Sequence, residues 1–390
     1  MNYKIYHPTK LVECEIDLPT SKSISNRLLI IQALCKQAFE IKNLSNSEDT
    51  KALQKALTNT TTTIDVGAAG TSFRFLTAYL STLVDNRFIL TGSNRMKERP
   101  IKELVDALLE LGVEIKYLEK TGFPPLAIIG TNITENKVSI DGKISSQFIS
   151  ALLLIAPTLK NGIKLKVSCE IVSKPYITMT LKLMEEFRIF HTWKENTIEI
   201  KPQKYSAKDY NIEADWSAAS FWYEIASLSS NCNIALNGLT ENSIQGDSKV
   251  RELFKNLGVQ TKFENGSIML TKKEEKDISK EINLINTPDL YQPLKCTLFA
   301  KNLTTKFLGL QTLKDKETNR IKAVEKELLN LFKTKEITTY KDHRMAMSFA
   351  PLCLKYDTLQ INDVAIVEKS YPNFWNDLKK GGFIIMPLAH

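Results

Sequence analysis

The sequence predicts an α/β protein of two domains, with a βαβ-type unit duplicated within each. Three observations carry that expectation. The chain has 390 residues, more than one hydrophobic core usually holds, so two domains are the default. Amphipathic helices alternate with β-like stretches along its length. The helix ends also recur at a nearly constant interval, too long for a solenoid repeat.

The elements follow in order. Residues 101–112 (IKELVDALLELG) place apolar side chains at i, i+3, i+4 and i+7, as an amphipathic helix does, and residues 113–117 follow as a β-like stretch. The same succession recurs at 178–187 with 188–193, and at 249–258 with 259–263. Residues 320–332 (RIKAVEKELLNLF) form a fourth such helix, followed by a short polar stretch. Taken as equivalent helix ends, Leu111, Phe187, Leu257 and Leu331 are 76, 70 and 74 residues apart. The Thr-rich residues 58–63 read as a short loop and 272–280 as a charged turn. No linker or low-complexity tract interrupts the pattern.

Composition excludes several classes. Hydrophobic residues make up 43% and charged residues 25%, ordinary globular values that rule out disorder, collagen and a disulfide scaffold. The longest apolar run, residues 148–157, is far short of the ~20 needed to cross a bilayer. Lys4, Lys10, Glu13 and Glu15 leave no room for a signal-peptide core near the start. Six cysteines, at 14, 35, 169, 232, 296 and 353, include no CxxC pair. They read as reduced thiols of a cytoplasmic protein.

The formal net charge is +8, and the 52 cations divide into 43 Lys and nine Arg. Lys serves wherever a solvated charge suffices, whereas Arg suits bidentate binding of carboxylate or phosphate. Six of the nine, Arg27, Arg74, Arg95, Arg99, Arg320 and Arg344, fall in polar clusters where an apolar helix begins. Those helices read as 28–38, 75–83, 101–112, 320–332 and 345–354, and Ser145-Ser146-Gln147 opens another at 148–156. A helix N-terminus offers unpaired N–H groups and partial positive charge, so Ser and Thr there act as caps and anions bind there. Arg at such a place opposes the dipole and calls for an anion. The expectation is a cleft that gathers phosphate and carboxylate groups of small ligands.

Common alternatives are missing. There is no GxxxxGK[ST] loop and no GxGxxG after a strand. The four His, at 7, 191, 343 and 390, form no HExxH, so no metal site is expected. Only His343 could serve a Ser-His-Asp triad, and no GxSxG elbow exists. Acid–base groups within the clusters are Lys22, Asp289, Glu317, Asp342, His343 and Lys369. Carboxylates among cations stay ionised and can accept protons, which makes Asp289 and Glu317 the leading candidates.

These clusters resemble the 5-enolpyruvylshikimate-3-phosphate synthase family, in register from Ser21 to Pro372. The motifs are Ser21-Lys-Ser-Ile-Ser-Asn-Arg27, Ala69-Gly-Thr71 with Arg74, Arg95-Met-Lys-Glu-Arg-Pro100, Ser145-Ser-Gln-Phe148, Ser173-Lys-Pro-Tyr176, Lys316-Glu-Thr-Asn-Arg320 and Asp342-His-Arg-Met-Ala-Met347. The resemblance implies two similar domains, each three copies of a βαβαββ unit with helices inside and sheets outside. Residues 21–213 would form an inserted domain on the shikimate-phosphate side, and 1–20 with 214–390 a discontinuous one. The active site would lie in the interdomain cleft.

The implied reaction transfers the enolpyruvyl group of phosphoenolpyruvate to the 5-hydroxyl of shikimate 3-phosphate. This is a step of chorismate and aromatic amino acid biosynthesis. Lys22, Asp289 and Glu317 would be catalytic. Shikimate 3-phosphate would meet Lys22, Ser23, Arg27, Ser145, Ser146, Gln147, Ser173, Tyr176, Asp289 and Lys316. Phosphoenolpyruvate would meet Lys22, Gly70, Arg95, Gln147, Lys369 and the paired forks of Arg320 and Arg344. No cofactor, metal, nucleic acid or membrane is implied, and the protein would be a cytoplasmic monomer.

The sequence departs from the family pattern at Ala68, Phe73, Phe75, Leu290-Tyr291 and Thr312. It also has Asn319 for the usual Asp, a change expected to loosen Arg320. The nearest rival, UDP-N-acetylglucosamine enolpyruvyl transferase, has Lys-Asn where this chain has Lys22-Ser23, and a Cys in the loop that here carries Arg95. A nucleic-acid module would interleave aromatics with its basic residues, which this chain does not do. An inactive homologue with a binding role would rest on Ala68 and Asn319 alone.

Overall fold

The computed structural model describes residues 1–58, 61–264 and 266–388. The loop read at 58–63 lies partly outside them. The chain divides into two compact units, Lys22–Ile212 and Met1–Ser21 with Glu213–His390.

In the unit Lys22–Ile212, one copy of the repeat runs strand Thr63–Asp65, helix Gly70–Ser81, strand Arg87–Thr91, helix Lys102–Glu110 and the hairpin Glu114–Tyr117 with Leu126–Ile129. The first two strands pair parallel, and the hairpin adds antiparallel. A second copy repeats this with strands Lys137–Asp141, Ile163–Ser168, Thr192–Lys194 and Thr197–Ile200 around helices Ser146–Ile155 and Lys174–Glu186. In the third, Tyr210–Asn211 pairs parallel with Ile41–Lys42 beside helices Lys22–Leu34 and Glu48–Thr58. That copy has no hairpin among the described residues.

The other unit repeats the plan. Strands Leu11–Asp17, Asn231–Asn237, Val259–Glu264 and Ser267–Lys272 accompany helices Trp216–Leu228 and Val250–Lys255. A reduced copy holds Glu281–Asn283 parallel to Lys306–Leu308, with helices Tyr291–Ala300 and Arg320–Asn330. The last copy contains Glu336–Ile337, helix His343–Phe349, Leu359–Ile361, helix Phe374–Lys380 and Ile384–Leu388. Its fourth strand is Asn2–Tyr6, antiparallel to both Leu359–Ile361 and Ile384–Leu388. The start of the chain therefore completes the final sheet, which is why these residues pack with the second half.

Which elements lie inside follows from their side chains. Helix Trp216–Leu228 buries every residue except Ser217, and His343–Phe349 buries all of its own. Ser146–Ile155 buries all but Gln147. A helix apolar around its whole circumference belongs in a core. The strands alternate instead, as in Ile163–Ser168, with one face inward and the other polar.

Two helices begin earlier than the apolar runs suggest. Lys22–Leu34 and Gly70–Ser81 replace the expected 28–38 and 75–83. Their first turns are polar yet buried, with Ser25, Asn26, Arg27, Ser72 and Arg74 inside, so hydrophobicity marked only the centre of each helix. The stretch 188–193 also differs. Arg188 takes a left-handed turn, and the strand starts at Thr192.

Candidate active site

In the unit Lys22–Ile212 the expected ligands cluster at the starts of the inner helices. Lys22 opens its helix with Nζ 3.0 Å from Asp49 Oδ2, a mostly buried pair. Ser72, in the first turn of the next inner helix, donates to the Asp49 carbonyl at 2.8 Å. Gln147 Nε2 donates to Thr71 Oγ1 at 3.0 Å. Ser145 caps its own helix by accepting from Gln147 N, with Ser146 buried beside it. Ser173 is held in a left-handed conformation just before helix Lys174–Glu186.

Arg27 is fully buried. It donates to Thr180 Oγ1 at 2.7 Å, to the Ser23 carbonyl at 2.8 Å, and to Ser150 Oγ and the Tyr176 carbonyl. These partners are neutral, and burial pulls the guanidinium down to about 10. Arg95 stands differently, in a half-exposed pair with Glu98 at 2.9 Å.

Gly70 is hemmed in by two guanidinium groups. Arg74 donates to its carbonyl at 3.0 Å. Arg99 lies over its Cα, so that a Cβ at 70 would fall 2.3 Å from Arg99 Nη1. A side chain at 70 would have to displace that guanidinium.

The second unit assembles a network of opposite charges. Arg320 donates through Nε to Asp342 Oδ2 at 2.7 Å, through Nη1 to Asp289 Oδ1 at 2.8 Å and through Nη2 to Glu317 Oε2 at 2.8 Å. Asp342 also caps helix His343–Phe349 by accepting from Arg344 N. Arg344 Nη2 lies 3.3 Å from Asp289 Oδ2, and Lys316 Nζ is 3.7 Å from Asp289 Oδ1. Lys369 Nζ reaches Glu317 Oε1 at 3.0 Å. Asp289, Glu317, Lys316, Arg320, Arg344 and Lys369 thus meet in one place. Burial alone would raise the Asp289 carboxyl, but Arg344, Lys316 and Arg320 outweigh it and hold it well below the usual carboxylate range. Burial also works against Arg320, yet Asp342, Glu317 and Asp289 keep it firmly charged.

The arrangement offers an ionised proton acceptor beside a carboxylate–ammonium pair, amid a surplus of fixed cations. It suits proton transfer on an anionic substrate. A family model described as EPSP synthase (3-phosphoshikimate 1-carboxyvinyltransferase) matches residues 6–64 and 53–378. The chain belongs to the EPSP synthase family.

A 3-phosphoshikimate 1-carboxyvinyltransferase of Bacteroides fragilis (strain YCH46) is 44% identical over 405 residues, covering 98% of each chain. One from Histophilus somni (strain 2336) is 34% identical, covering 96% of this chain and 97% of its own. An EPSP synthase structure from Acinetobacter baumannii superposes with a TM-score of 0.77 at 19% identity, over 99% of this chain and 100% of that one. That likeness bears on the fold.

Within the EPSP synthase frame, three site residues went unread in the sequence. Asp49 lies in the first turn of helix Glu48–Thr58, and only its pairing with Lys22 marks it out. Asp247 is buried and accepts from Ser217 Oγ; burial and then nearby Asp289 push it up to about 7. Arg99 was noted only as one of six clustered Arg. The doubt over Asn319 also changes. Its side chain caps helix Arg320–Asn330 by accepting from Lys322 N at 3.2 Å, while the carboxylates of Asp342, Asp289 and Glu317 orient Arg320.

Proposed function

We infer that the chain transfers the enolpyruvyl group of phosphoenolpyruvate to the 5-hydroxyl of shikimate 3-phosphate, giving 5-enolpyruvylshikimate 3-phosphate and phosphate. The observation that carries this reading is the Asp289 carboxylate, held ionised between Arg344, Lys316 and Arg320 and beside the Glu317–Lys369 pair.

Asp289 takes the proton of the 5-hydroxyl as its oxygen bonds to C2 of phosphoenolpyruvate. Glu317, with Lys22, delivers a proton to the methylene carbon, and a tetrahedral intermediate results. Returning a proton from the new methyl group while the C–O bond to phosphate breaks restores the double bond. Fixed cations stabilise the charge that develops, and positioning supplies much of the rate.

Ser145, Ser146 and Ser173 hold the shikimate phosphate, and Ser23, Arg27, Tyr176 and Lys316 orient the ring. Lys22, Gly70, Arg95, Gln147 and Lys369 surround the other phosphate, and Arg320 and Arg344 take the phosphoenolpyruvate carboxylate. The donors of Arg320 are largely engaged by protein carboxylates, and both terminal nitrogens of Arg344 meet Asp289. The enzyme works as a monomer in the cytoplasm. Across the described residues no helix is long and apolar enough to cross a membrane.

The test is phosphate release from phosphoenolpyruvate by purified protein, with and without shikimate 3-phosphate, and with UDP-N-acetylglucosamine in its place. Release only with shikimate 3-phosphate is expected. No release from a folded sample that also fails to bind shikimate 3-phosphate would overturn the reading.

A further inference from the structure

We propose that Asp247 is a positioning residue that acts through Arg344: its carboxyl, held by Ser217, competes with the phosphoenolpyruvate carboxylate for that guanidinium. The inference rests on the reaction inferred above and adds a residue to it.

Local structure brings Asp247 to the charges of the other helix starts. Residues Gly246–Lys249 form a short helical turn that leads into helix Val250–Lys255 and packs against helix Trp216–Leu228. That helix packs in turn on the turn Pro288–Leu290, which carries Asp289, and on helix His343–Phe349, which carries Arg344. Asp247 itself is only 3% exposed. Its Oδ2 accepts from Ser217 Oγ, and its Oδ1 is buried with no hydrogen-bond partner. Ser217 is fixed in place, because its N–H donates to Asp215 Oδ1 at 2.8 Å.

Helix capping does not account for this residue. Asp215 and Asp342 each accept from a backbone N–H, whereas among the described residues Asp247 accepts from none. The cations on its own segment are engaged elsewhere. Lys249 pairs with Glu252, and Arg251 donates to the Ser248 carbonyl while its guanidinium lies 5.2 Å from the centre of the Trp216 ring. Tyr223 and Glu224, on the same helix as Ser217, lie about two turns further along it. The charged groups that face Asp247 are Asp289, Arg344 and Asp215.

A buried carboxylate with a single hydroxyl donor is costly, and a second carboxylate nearby makes it costlier. Burial and then Asp289 lift the Asp247 carboxyl to about 7, against the pull of Arg344 and of the Ser217 hydrogen bond. Two states therefore exchange near neutral pH. With Asp247 protonated, Arg344 keeps Asp289 as its carboxylate partner, through Nη2 at 3.3 Å and through Nη1 to the Asp289 carbonyl at 3.1 Å. An incoming carboxylate is then a second anion for the guanidinium. With Asp247 ionised, the protein itself adds that second negative charge, and the substrate gains less from Arg344. Substrate binding and proton uptake by Asp247 are thus linked, each favouring the other.

The experiment follows the KM for phosphoenolpyruvate with pH, at saturating shikimate 3-phosphate, in the full-length wild type, Asp247→Asn and Ser217→Ala. The wild-type KM is expected to rise about 3- to 10-fold as pH climbs through neutrality, the effect of a linked shift of roughly half to one pKa unit. The substrate phosphates also titrate, near pH 6 (about that value), but they do so alike with every variant. D247N carries no charge at any pH, so it should lack the added rise and keep kcat within about twofold of the wild type. S217A loses a hydrogen bond to the ionised form, so its inflection should move to higher pH. An active wild type whose KM profile D247N reproduces would overturn the proposal and leave the inferred reaction standing. So would a D247N in which the KM values of both substrates rise together with a falling melting temperature, the mark of a merely structural role. A wild type that releases no phosphate defeats the reaction and the proposal with it. Should D247N fail to fold, S217A decides, and an unmoved inflection overturns the proposal.

Discussion

The two units share a fold and reverse its chemistry. In the unit Lys22–Ile212, the inner helices open with Lys22, with uncapped Gly70, and with Ser146 behind Ser145. In the other, the equivalent helices open behind Asp215, Asp289 and Asp342. Asp215 and Asp342 accept from the backbone N–H two residues on. A carboxylate cap satisfies the helix end from within the protein and then recruits Arg and Lys of its own. A Ser cap or none leaves the positive end for an incoming anion. One architecture thus carries a network of paired charges in one unit and Ser-capped or uncapped helix starts in the other.

The largest test of this contrast is catalytic. Asp289→Asn and Glu317→Gln should each lower kcat at least ~100-fold, the usual scale for a lost proton-transfer group. Arg344→Lys should instead act mainly on the KM for phosphoenolpyruvate. Steady-state kinetics separate the two patterns. Near-normal turnover in both carboxylate variants would remove the acid–base role from the second unit.

Stability gives the next contrast. Arg320→Met leaves Asp289, Glu317 and fully buried Asp342 facing one another, and should cost about 3–5 kcal/mol. Arg27→Met deletes a buried guanidinium whose partners are neutral oxygens, and should cost about 1–3 kcal/mol. Denaturant titration measures both. Equal losses would mean that the carboxylate network is no more self-contained than the hydroxyl one.

How much of this the sequence disclosed depends on what each feature leaves in local pattern. The fourfold recurrence of helix ends near Leu111, Phe187, Leu257 and Leu331 was visible because each second helix of a copy is amphipathic. The inner helices were blurred, since a helix apolar on all sides has no period and its polar first turn reads as loop. Residue types at the helix starts were legible, and so was the Arg count. Partners were not. Nothing local says that Lys22 meets Asp49, or that Arg320, beside Glu317, is also shared by Asp289 and Asp342 from distant segments. Arg99 and Arg95 look alike in Arg95-Met-Lys-Glu-Arg99, and only three-dimensional burial distinguishes the paired one from the unpartnered one.

Not every carboxylate of the second unit belongs to its balanced network. Glu224, within helix Trp216–Leu228, is fully buried, and neither carboxyl oxygen has a partner. Burial raises its carboxyl well above the ordinary range. The folded protein therefore keeps this proton while the unfolded chain loses it, near pH 4.3 for an ordinary Glu (about that value). Its contribution is complete at low pH and drains away as pH rises, by at most about 1.4 kcal/mol per unit. Glu224→Met should flatten that decline, so that its advantage in melting temperature over the wild type grows between pH 5 and pH 8. A constant difference across that range would show that Glu224 finds a partner after all.

The smallest expected effect is the most discriminating for the balanced network. Asn319→Asp restores the acidic residue of the family motif. If residue 319 oriented Arg320, the change would tighten phosphoenolpyruvate binding. In this structure Asn319 instead caps helix Arg320–Asn330, and Arg320 Nε and Nη2 are already taken by Asp342 and Glu317. Asn and Asp are near-equal caps, and the added charge gains about 0.3–1 kcal/mol from the dipole. N319D should therefore match the wild type in stability to within that margin, with a KM for phosphoenolpyruvate unchanged to about twofold, a shift of roughly 0.4 kcal/mol. A tenfold fall in KM would mean that Arg320 has spare capacity which the acidic neighbour organises. The second unit would then be short of negative charge, and the contrast with the first would rest on Asp289 alone.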